Sequence, residues 1–245
     1  AGACMGCNYV SKQPGRAIRY NKRFCTDNRY AGLMTLLRTG DIYGAKFCYH
    51  TIPEELDLLD VKTMAESPTR YYVVVTDMDT GKAFYHLYRA DREGEIEWMR
   101  ASASMPAVSR PVELIGRKFS DGGTADSIPL RFFEYKGYRK NIVVLTQPRS
   151  YVKTQMKHFG MLRIALRKYP NLIKALEKRP EMYNETREYI FQREAQGEVF
   201  VICPPGPLNI GSVCHDPEEL ERVYQIGRKT AQTRLPELEK YLGIR

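Results

Sequence analysis

The amino end of the chain is a run of small residues, Ala1-Gly2-Ala3-Cys4-Met5-Gly6. It continues as a helical pattern that Pro14-Gly15 ends. Small residues at a helix start are typical of the sharp turn from a strand into a helix, and they follow the serine of the G-x-S-x-G nucleophile elbow. We therefore expect a strand upstream of this helix, with a nucleophilic serine one residue before Ala1.

A second turn of small residues, Ser120-Asp121-Gly122-Gly123-Thr124, follows a predicted strand over residues 112–119. This strand would place Asp121 where strand ends meet a cleft, as in open α/β sheets. Gly122 and Gly123 would permit positive φ angles and leave room for an acyl chain or another backbone segment. Taken alone, an aspartate before two glycines is more often a structural turn than a catalytic one.

Strand and helix patterns alternate along the chain. Strands are predicted at residues 70–77 and 82–87, joined as a hairpin, and at 112–119, 141–145 and 198–203. Helices are predicted at residues 1–13, 30–38, 93–103, 151–168, 171–178, 181–194 and 216–233, with starts at Pro53 and Pro236. The alternation predicts an α/β fold, a three-layer α/β/α sandwich with a mostly parallel sheet. We expect a catalytic core over residues 1–150 and a helix-rich region over 151–245, which either caps the core or belongs to the same domain.

The composition of the chain limits the classes of protein to which it can belong. The chain has 245 residues, enough for an ample core, and no apolar run approaches the ~18 residues that span a bilayer. The net charge of +9 fits a generally basic surface, and it would also attract anionic lipid headgroups or nucleic acid. Because no nucleic-acid module signature is present, we expect no nucleic-acid partner. The expected location is the cytoplasm, with peripheral contact at a membrane.

The sequence gives only weak indications of a metal site or of disulfide bonds. Cys4 and Cys7 form a C-x-x-C, but no second such pair completes a tetrahedral zinc site. We interpret all six cysteines as reduced, mostly buried thiols of an intracellular protein. Asp77 and Asp79 fit a polar hairpin turn, because no third ligand follows at a useful spacing. We expect neither a metal nor another cofactor.

Four motifs in order give the sequence a resemblance to the patatin-like phospholipase family. They are Ala1-Gly2-Ala3, Val74-Val75-Thr76-Asp77-Met78-Asp79-Thr80-Gly81, Ala101-Ser102-Ala103-Ser104-Met105-Pro106 and Asp121-Gly122-Gly123. No single motif is specific to the family, but the residues of the four motifs and their order match the family over roughly residues 1–150. The helical C-terminal part resembles an extension found on bacterial members.

The resemblance implies a lipid acyl hydrolase with a Ser–Asp dyad and a lipid or other ester as substrate. The serine would attack the ester carbonyl, and Asp121 would accept its proton without a histidine between them. Gly2 would be the final elbow glycine, and the N–H of Ala1 would support the oxyanion. None of the four histidines, His50, His86, His158 and His215, lies in a recognisable catalytic context.

Two family features are missing from the sequence, the glycine-rich oxyanion loop and the serine itself. Either an earlier segment of a longer chain is not included, or a modified serine ends the readable part. Ser102 and Ser104 are poor replacements, because their small neighbours favour close helix packing. Two other functions stay open: an acyltransferase that uses the same dyad, and a non-catalytic basic protein that binds membrane surfaces.

Overall fold

The computed structural model describes residues 2–157 and 159–244. The helices are α1 (Gly2–Val10), α2 (Arg16–Phe24), α3 (Leu33–Thr39), α4 (Val61–Glu66), α5 (Ile96–Ala103), α6 (Leu130–Tyr135), α7 (Phe159–Ala165), α8 (Pro170–Ala195) and α9 (Pro217–Leu242). The strands are β1 (Tyr72–Asp77), β2 (Ala83–Leu87), β3 (Val112–Leu114), β4 (Arg117–Asp121), β5 (Asn141–Val144) and β6 (Val199–Ile202). A π-helical segment (Phe47–Leu56) and a 3₁₀ turn (Gly122–Thr124) complete the elements.

The larger sheet has four strands in the order β2-β1-β4-β3. The predicted β1–β2 hairpin is confirmed, with Tyr72 opposite Leu87. The single strand expected over residues 112–119 is instead a second hairpin, β3–β4. Its turn is at Ile115 and Gly116, whose φ angles of 49° and 71° are incompatible with a continuous strand.

The pairings in this larger sheet are antiparallel, where we expected a mostly parallel sheet. For the β1–β2 and β3–β4 pairs the direction follows from connection length, because tight turns can join only antiparallel neighbours. The antiparallel β1–β4 pair instead joins these two hairpins in one sheet. The parallel pairing among the described residues is that of β5 with β6, which a long connection through α7 and α8 joins. The α/β class and the helix-rich C-terminal part are as predicted.

The main core lies where α5 packs across β1 and β4. Val73, Val75 and Phe119 are fully buried there, and Trp98 of α5 stacks near them. Burial of each such side chain contributes about 1.5–3 kcal/mol. A second core lies between β5, β6 and α8, around Ile190. The two cores hold the end of β4 and the middle of α8 in fixed positions.

Prolines do not divide the C-terminal helices as we expected. The helix α8 continues through Pro180, and α9 continues through Pro236. An interior proline removes one backbone hydrogen bond and costs about 3 kcal/mol. In α8, packing on both sides of Pro180 outweighs this cost, because Leu176 before it and Ile190 after it are both buried. The helix expected over residues 151–168 is limited to α7, and Pro53 lies inside the π-helical segment rather than at a helix start.

The C-terminal region packs against the N-terminal part. The helix α9 contacts α2, and the ammonium of Lys22 lies 2.9 Å from the carboxylate of Glu221. The Tyr43 hydroxyl donates a 2.6 Å hydrogen bond to the Ser212 carbonyl oxygen. A domain boundary near residue 150 stays a prediction. Over the described ranges, every helix falls short of the length or apolar content that a membrane crossing requires.

Candidate active site

Asp121 is the last residue of β4, and it pairs with Val75 of the adjacent strand β1. Its N–H donates to the Ser104 carbonyl oxygen at 2.8 Å, and its own carbonyl oxygen accepts from the Thr76 hydroxyl at 2.8 Å. The backbone of Asp121 is therefore held by β1 and by the residue that follows α5. This anchoring comes from two of the four motifs identified in the sequence.

The two carboxylate oxygens of Asp121 differ in their surroundings. Oδ1 accepts a 3.0 Å hydrogen bond from the Gly123 N–H. Oδ2 lies 3.6 Å from the guanidinium of Arg179, beyond good hydrogen-bond distance. The side chain is 17% exposed. One oxygen thus orients the carboxylate, and the other remains available to a proton donor entering the cleft.

Gly122 and Gly123 are required for space. The two glycines would permit positive φ angles, but neither has one. A Cβ atom on Gly122 would lie well inside van der Waals contact with the Val74 carbonyl oxygen. A Cβ on Gly123 would lie 3.2 Å from the end of the Arg179 side chain and 3.5 Å from both carboxylate oxygens of Asp121. The first glycine lets the turn lie directly against β1, and the second makes room for Arg179.

A cleft of about 390 Å³ connects the amino-terminal helix with the aspartate turn. Gly2 and Ala3 of α1 line it together with Asp121 and the two glycines that follow. The helix α1 is held there because the Tyr71 hydroxyl donates to the Ala3 carbonyl oxygen. Ala1, the predicted source of oxyanion support, lies outside the described residues. Two motifs more than a hundred positions apart in the sequence thus share one cavity.

A second cavity, of about 350 Å³, opens on the other side of Asp121, which lines both. Its walls are mainly apolar and aromatic, and they include Ile52, Met99, Ala103 and Tyr30. Burial raises the pKa of the Tyr30 hydroxyl far above its usual range, so this group stays neutral. The mainly apolar walls suit a hydrophobic occupant, and the buried guanidinium of Arg16 adds one charged group to the lining.

Three charged groups in the cleft were not predicted from the sequence. They are Asp126, Lys153 and Arg179. Burial raises the pKa of Asp126, whose Oδ2 accepts a 2.6 Å hydrogen bond from the Tyr85 hydroxyl and whose Oδ1 accepts from the Ile128 N–H at 3.2 Å. Both oxygens of Asp126 are thus already bonded within the fold.

The described histidines lie away from both cavities. His86 bonds to Glu95 and stacks on Trp98, and His50 bonds to two glutamates. His215 contacts the Cys25 carbonyl oxygen. His158 is outside the described residues. For these three histidines, the contacts fit the packing roles expected from the sequence.

Asp77 has the turn role that we predicted. Its Oδ1 accepts hydrogen bonds from the N–H and the hydroxyl of Thr80, at 2.7 and 2.8 Å. Its Oδ2 lies 2.7 Å from the guanidinium of Arg117. These contacts close the β1–β2 turn and tie it to β4.

Two family models match different parts of the chain. Residues 1–133 match the family model described as patatin-like phospholipase. The chain belongs to the patatin-like phospholipase family. Residues 169–243 match a second family model, described as a domain of unknown function (DUF6363). Arg179 of the cleft lies within that second match.

A similar curated protein is the uncharacterised protein YjjU of Escherichia coli (strain K12). The two are 23% identical over 241 residues, which cover 93% of this chain and 64% of YjjU. The chain therefore spans slightly less than two thirds of the relative's length. The similarity extends across both matched families.

Proposed function

We propose that the protein is a lipid acyl hydrolase whose dyad combines Asp121 with a serine immediately before Ala1 in the full-length chain. The observation that supports this most is the shared cleft, in which Gly2 and Asp121 both form part of the wall. Family membership supports the class of reaction, because the matched family is described as a phospholipase family.

In this proposal, Asp121 takes the serine proton as the serine oxygen attacks the ester carbonyl carbon. The ester C–O bond then breaks, and the leaving alcohol takes the proton from Asp121. Water attacks the acyl-serine, gives a proton to Asp121 and releases the carboxylic acid as the serine is reprotonated. The N–H of Ala1, the residue before α1 in the sequence, would donate to the oxyanion in both acylation and deacylation.

The environment of Asp121 suits a general base. A base must lie within hydrogen-bond reach of the proton that it takes. Oδ1 is occupied by the Gly123 N–H, which leaves Oδ2 facing the cleft. Asp126 is the competing carboxylate in the same cleft, but its two oxygens are bonded to Tyr85 and Ile128.

Each of the two cavities would bind a different part of the substrate. The apolar cavity would hold the acyl chain, and the polar cleft would hold the alcohol part of the ester. Because Asp121 lines both, the scissile bond would lie at their junction. This arrangement is typical of ligand sites, in which apolar walls supply affinity and a few polar groups fix orientation.

The test compares Asp121→Asn with Asp126→Asn in the full-length protein. Removal of a general base typically lowers the rate by at least about 10²-fold. We therefore expect Asp121→Asn to lose ester hydrolysis by that factor or more, and Asp126→Asn to stay within about tenfold of the wild type. Equal rates for Asp121→Asn and wild type would remove Asp121 from the mechanism. Product analysis with added alcohols distinguishes hydrolysis from acyl transfer.

Exposed apolar residues between positions 152 and 164 support peripheral membrane contact by a cytoplasmic protein. Val152, Met161 and Ile164 are each more than 60% exposed, and Lys157 and Arg163 lie among them. Exposed apolar groups with neighbouring cations bind anionic lipid surfaces. Sedimentation with anionic vesicles tests this contact, because an electrostatic attraction must weaken as salt rises. Binding without ester hydrolysis would favour the non-catalytic alternative.

A further inference from the structure

The π-helical segment (Phe47–Leu56) forms one wall of the apolar cavity. Its residues Tyr49 and Ile52 line the cavity, and Met99 of α5 lines the cavity beside them. Helices of the π type are rare and occur frequently at functional sites. Pro53 inside this segment also removes a backbone hydrogen bond. The wall therefore depends on contacts from outside the segment to keep its shape.

The two ends of this wall are fastened to the N-terminal part of the chain. Near its start, the Cys48 thiol donates to the Tyr30 carbonyl oxygen at 3.3 Å. At its end, the Arg23 guanidinium donates to the Leu56 carbonyl oxygen at 2.9 Å. In the middle, the side chain of His50 makes a polar contact with α5. The position of the middle of the wall relative to α5 thus depends in part on His50.

Each ring nitrogen of His50 faces a carboxylate. Nδ1 lies 3.0 Å from Oε1 of Glu54, four residues further along the same segment, and Nε2 lies 3.0 Å from Oε1 of Glu97 on α5. Burial alone would raise the pKa of Glu97, but the hydrogen bonds and charges of Arg100 and His50 outweigh it, so this pKa is lowered. Glu97 is therefore an acceptor near neutral pH, and the proton between it and His50 must come from the imidazole ring.

These two contacts together require a charged imidazole. A neutral imidazole has one N–H, so it can donate to only one of two carboxylates, whereas an imidazolium donates to both. The charged groups that face the ring are Glu54, Glu97 and Arg100, the partner of Glu97 on α5. Histidine loses its charge between about pH 5 and 8. One of the two hydrogen bonds is thus lost as pH rises through this range.

We propose that His50 is a positioning residue for the apolar cavity, because its imidazolium bridges the π-helical wall and α5. This inference rests on the proposed function, in which this cavity holds the acyl chain. A long acyl chain fills more of the cavity than a short one does, so it gains more from a fixed wall. The preference of the enzyme for long acyl chains is therefore stronger when His50 is charged than when it is neutral.

A binding measurement tests the His50 bridge without catalysis. The probe is an uncharged dansyl amide with a dodecyl chain, titrated by fluorescence into the full-length protein at about pH 5.5 and about pH 8.5, on either side of the imidazole range. We expect the Kd of wild type to rise by about fivefold between them, the effect of one half-exposed charge pair. His50→Gln is neutral and should bind weakly at both pH values, and His50→Arg is always charged and should bind tightly at both. No probe binding by wild type, or an equal Kd at both pH values, would overturn the bridge.

Two exposed glutamates of the same segment provide matched variants that leave the ring intact. In Glu54→Gln the new amide can donate to Nδ1, so a neutral imidazole keeps both contacts and the change of Kd with pH disappears. Glu55→Gln is the control, since the carboxylate of Glu55 has no ion pair in the described part of the chain, and it should keep the wild-type change. A change that persists in both His50→Gln and Glu54→Gln would belong to another group and would overturn the bridge.

Ester hydrolysis separates the bridge from the proposed function. Palmitoyl and butyryl esters of one alcohol are compared at both pH values, because the ratio of their kcat/KM values cancels the pH dependence of the shared chemical step. We expect this ratio to fall by about fivefold in wild type as pH rises, and to stay constant in Glu54→Gln. Probe binding that changes with pH, without hydrolysis of either ester, would contradict the hydrolase and keep the bridge. Hydrolysis of both esters, with a constant ratio and a constant Kd for the probe, would keep the hydrolase and overturn the bridge.

Discussion

The guanidinium of Arg179 contacts both sides of the turn that carries Asp121. Its Nη2 lies 3.6 Å from Asp121 Oδ2, and its Nε donates a 2.7 Å hydrogen bond to the Gly123 carbonyl oxygen. Arg179 lies on α8, in the region that matches a domain of unknown function, whereas the turn lies in the patatin-like region. One side chain thus links the two matched regions at the candidate base.

This contact predicts that Arg179 positions the base. Removal of the guanidinium in Arg179→Ala leaves the Gly123 carbonyl oxygen with only the 2.6 Å hydrogen bond from the Ser127 hydroxyl, and it removes the cation beside Oδ2. We therefore expect the turn and Oδ2 to shift. Misplacement by about 1 Å can lower a rate by as much as 10²-fold, and we expect a loss of about tenfold or more in kcat on a small uncharged ester. The effect should fall on kcat more than on KM, because an uncharged ester makes no ion pair with Arg179. Lys178→Ala, at the exposed neighbouring position, is the control, and wild-type kcat in Arg179→Ala would contradict the role.

The two glycines of the turn are predicted to differ in their tolerance of a methyl group. In Gly122→Ala the new Cβ collides with the Val74 carbonyl oxygen, which the sheet cannot move. Overpacking of this kind costs about 1–3 kcal/mol, equivalent to a fall in Tm of several degrees. In Gly123→Ala the Cβ approaches the flexible end of Arg179 at 3.2 Å and meets the Asp121 carboxylate at an ordinary contact distance of 3.5 Å, so we expect a smaller fall in Tm. Thermal unfolding of both variants checks the order, and equal Tm values would contradict it.

Local sequence patterns were sufficient to predict several elements of the fold. The β1–β2 hairpin follows from a β-branched run and a turn of Asp79-Thr80-Gly81, and Asp216 and Pro217 begin α9 as expected. Local rules fail at Pro180, because packing of α8 on other elements outweighs the intrinsic preference of proline. They also fail at Pro236, where α9 continues although none of its residues is buried. Local rules also fail at residues 112–119, where the pattern predicts one strand but Ile115 and Gly116 form the turn between β3 and β4.

The candidate site was only partly predictable for a similar reason. Asp121 and its glycines form a short motif, and the order of four such motifs was informative. Lys153 and Arg179 carry no local signal, because basic residues recur throughout the C-terminal helices. Only the packing of α8 against the turn distinguishes these two from the others. The orientation of Asp121 by the Gly123 N–H likewise depends on the three-dimensional turn.

Lys153 is predicted to lower the stability of the fold near neutral pH. Its pKa is lower in the folded chain than in the unfolded chain, since burial and Arg179 disfavour the charged form. Below the folded pKa the amine is charged in both states, and the penalty is fully present. It fades as pH rises from the folded pKa toward the ordinary lysine value of 10.5.

The corresponding variant is Lys153→Met. We expect its Tm to exceed that of wild type by about 1–3 °C at neutral pH, with the gain shrinking as pH rises toward the ordinary lysine value. Lys157→Met, at an exposed position, should leave Tm unchanged at every pH. Thermal scans across a pH series make the comparison. A gain in Tm that grows as pH rises would contradict the predicted lowering of the Lys153 pKa.

Cys7 and Cys48 are predicted to react slowly with thiol reagents. Burial raises the pKa of each thiol to about 12, so almost none is present as the reactive thiolate near neutral pH. Labelling of the native protein with iodoacetamide, followed by peptide mass analysis, should modify Cys7 and Cys48 later than the partly exposed Cys214. In denaturant all six cysteines should react at similar rates, because the burial is lost. Early modification of Cys7 in the native protein would contradict the burial of this thiol.

The apolar cavity is predicted to set the length of the acyl chain. Ala103 ends α5 and lines this cavity, so the larger side chain in Ala103→Phe would shorten it. Loss of room for even one methylene is worth about 1–3 kcal/mol in such a pocket. We therefore expect kcat/KM for palmitoyl esters to fall by about tenfold or more, while that for butyryl esters changes little.

The matched control is Ala165→Phe, because Ala165 also ends a helix, α7, but is exposed and lines neither cavity. Hydrolysis rates for a series of esters that differ only in acyl length provide the measurement. If the acyl chain lies in this cavity, only Ala103→Phe moves the optimum toward shorter chains. A uniform loss across the series would indicate a general disturbance of α5, and an unchanged profile would place the acyl chain elsewhere.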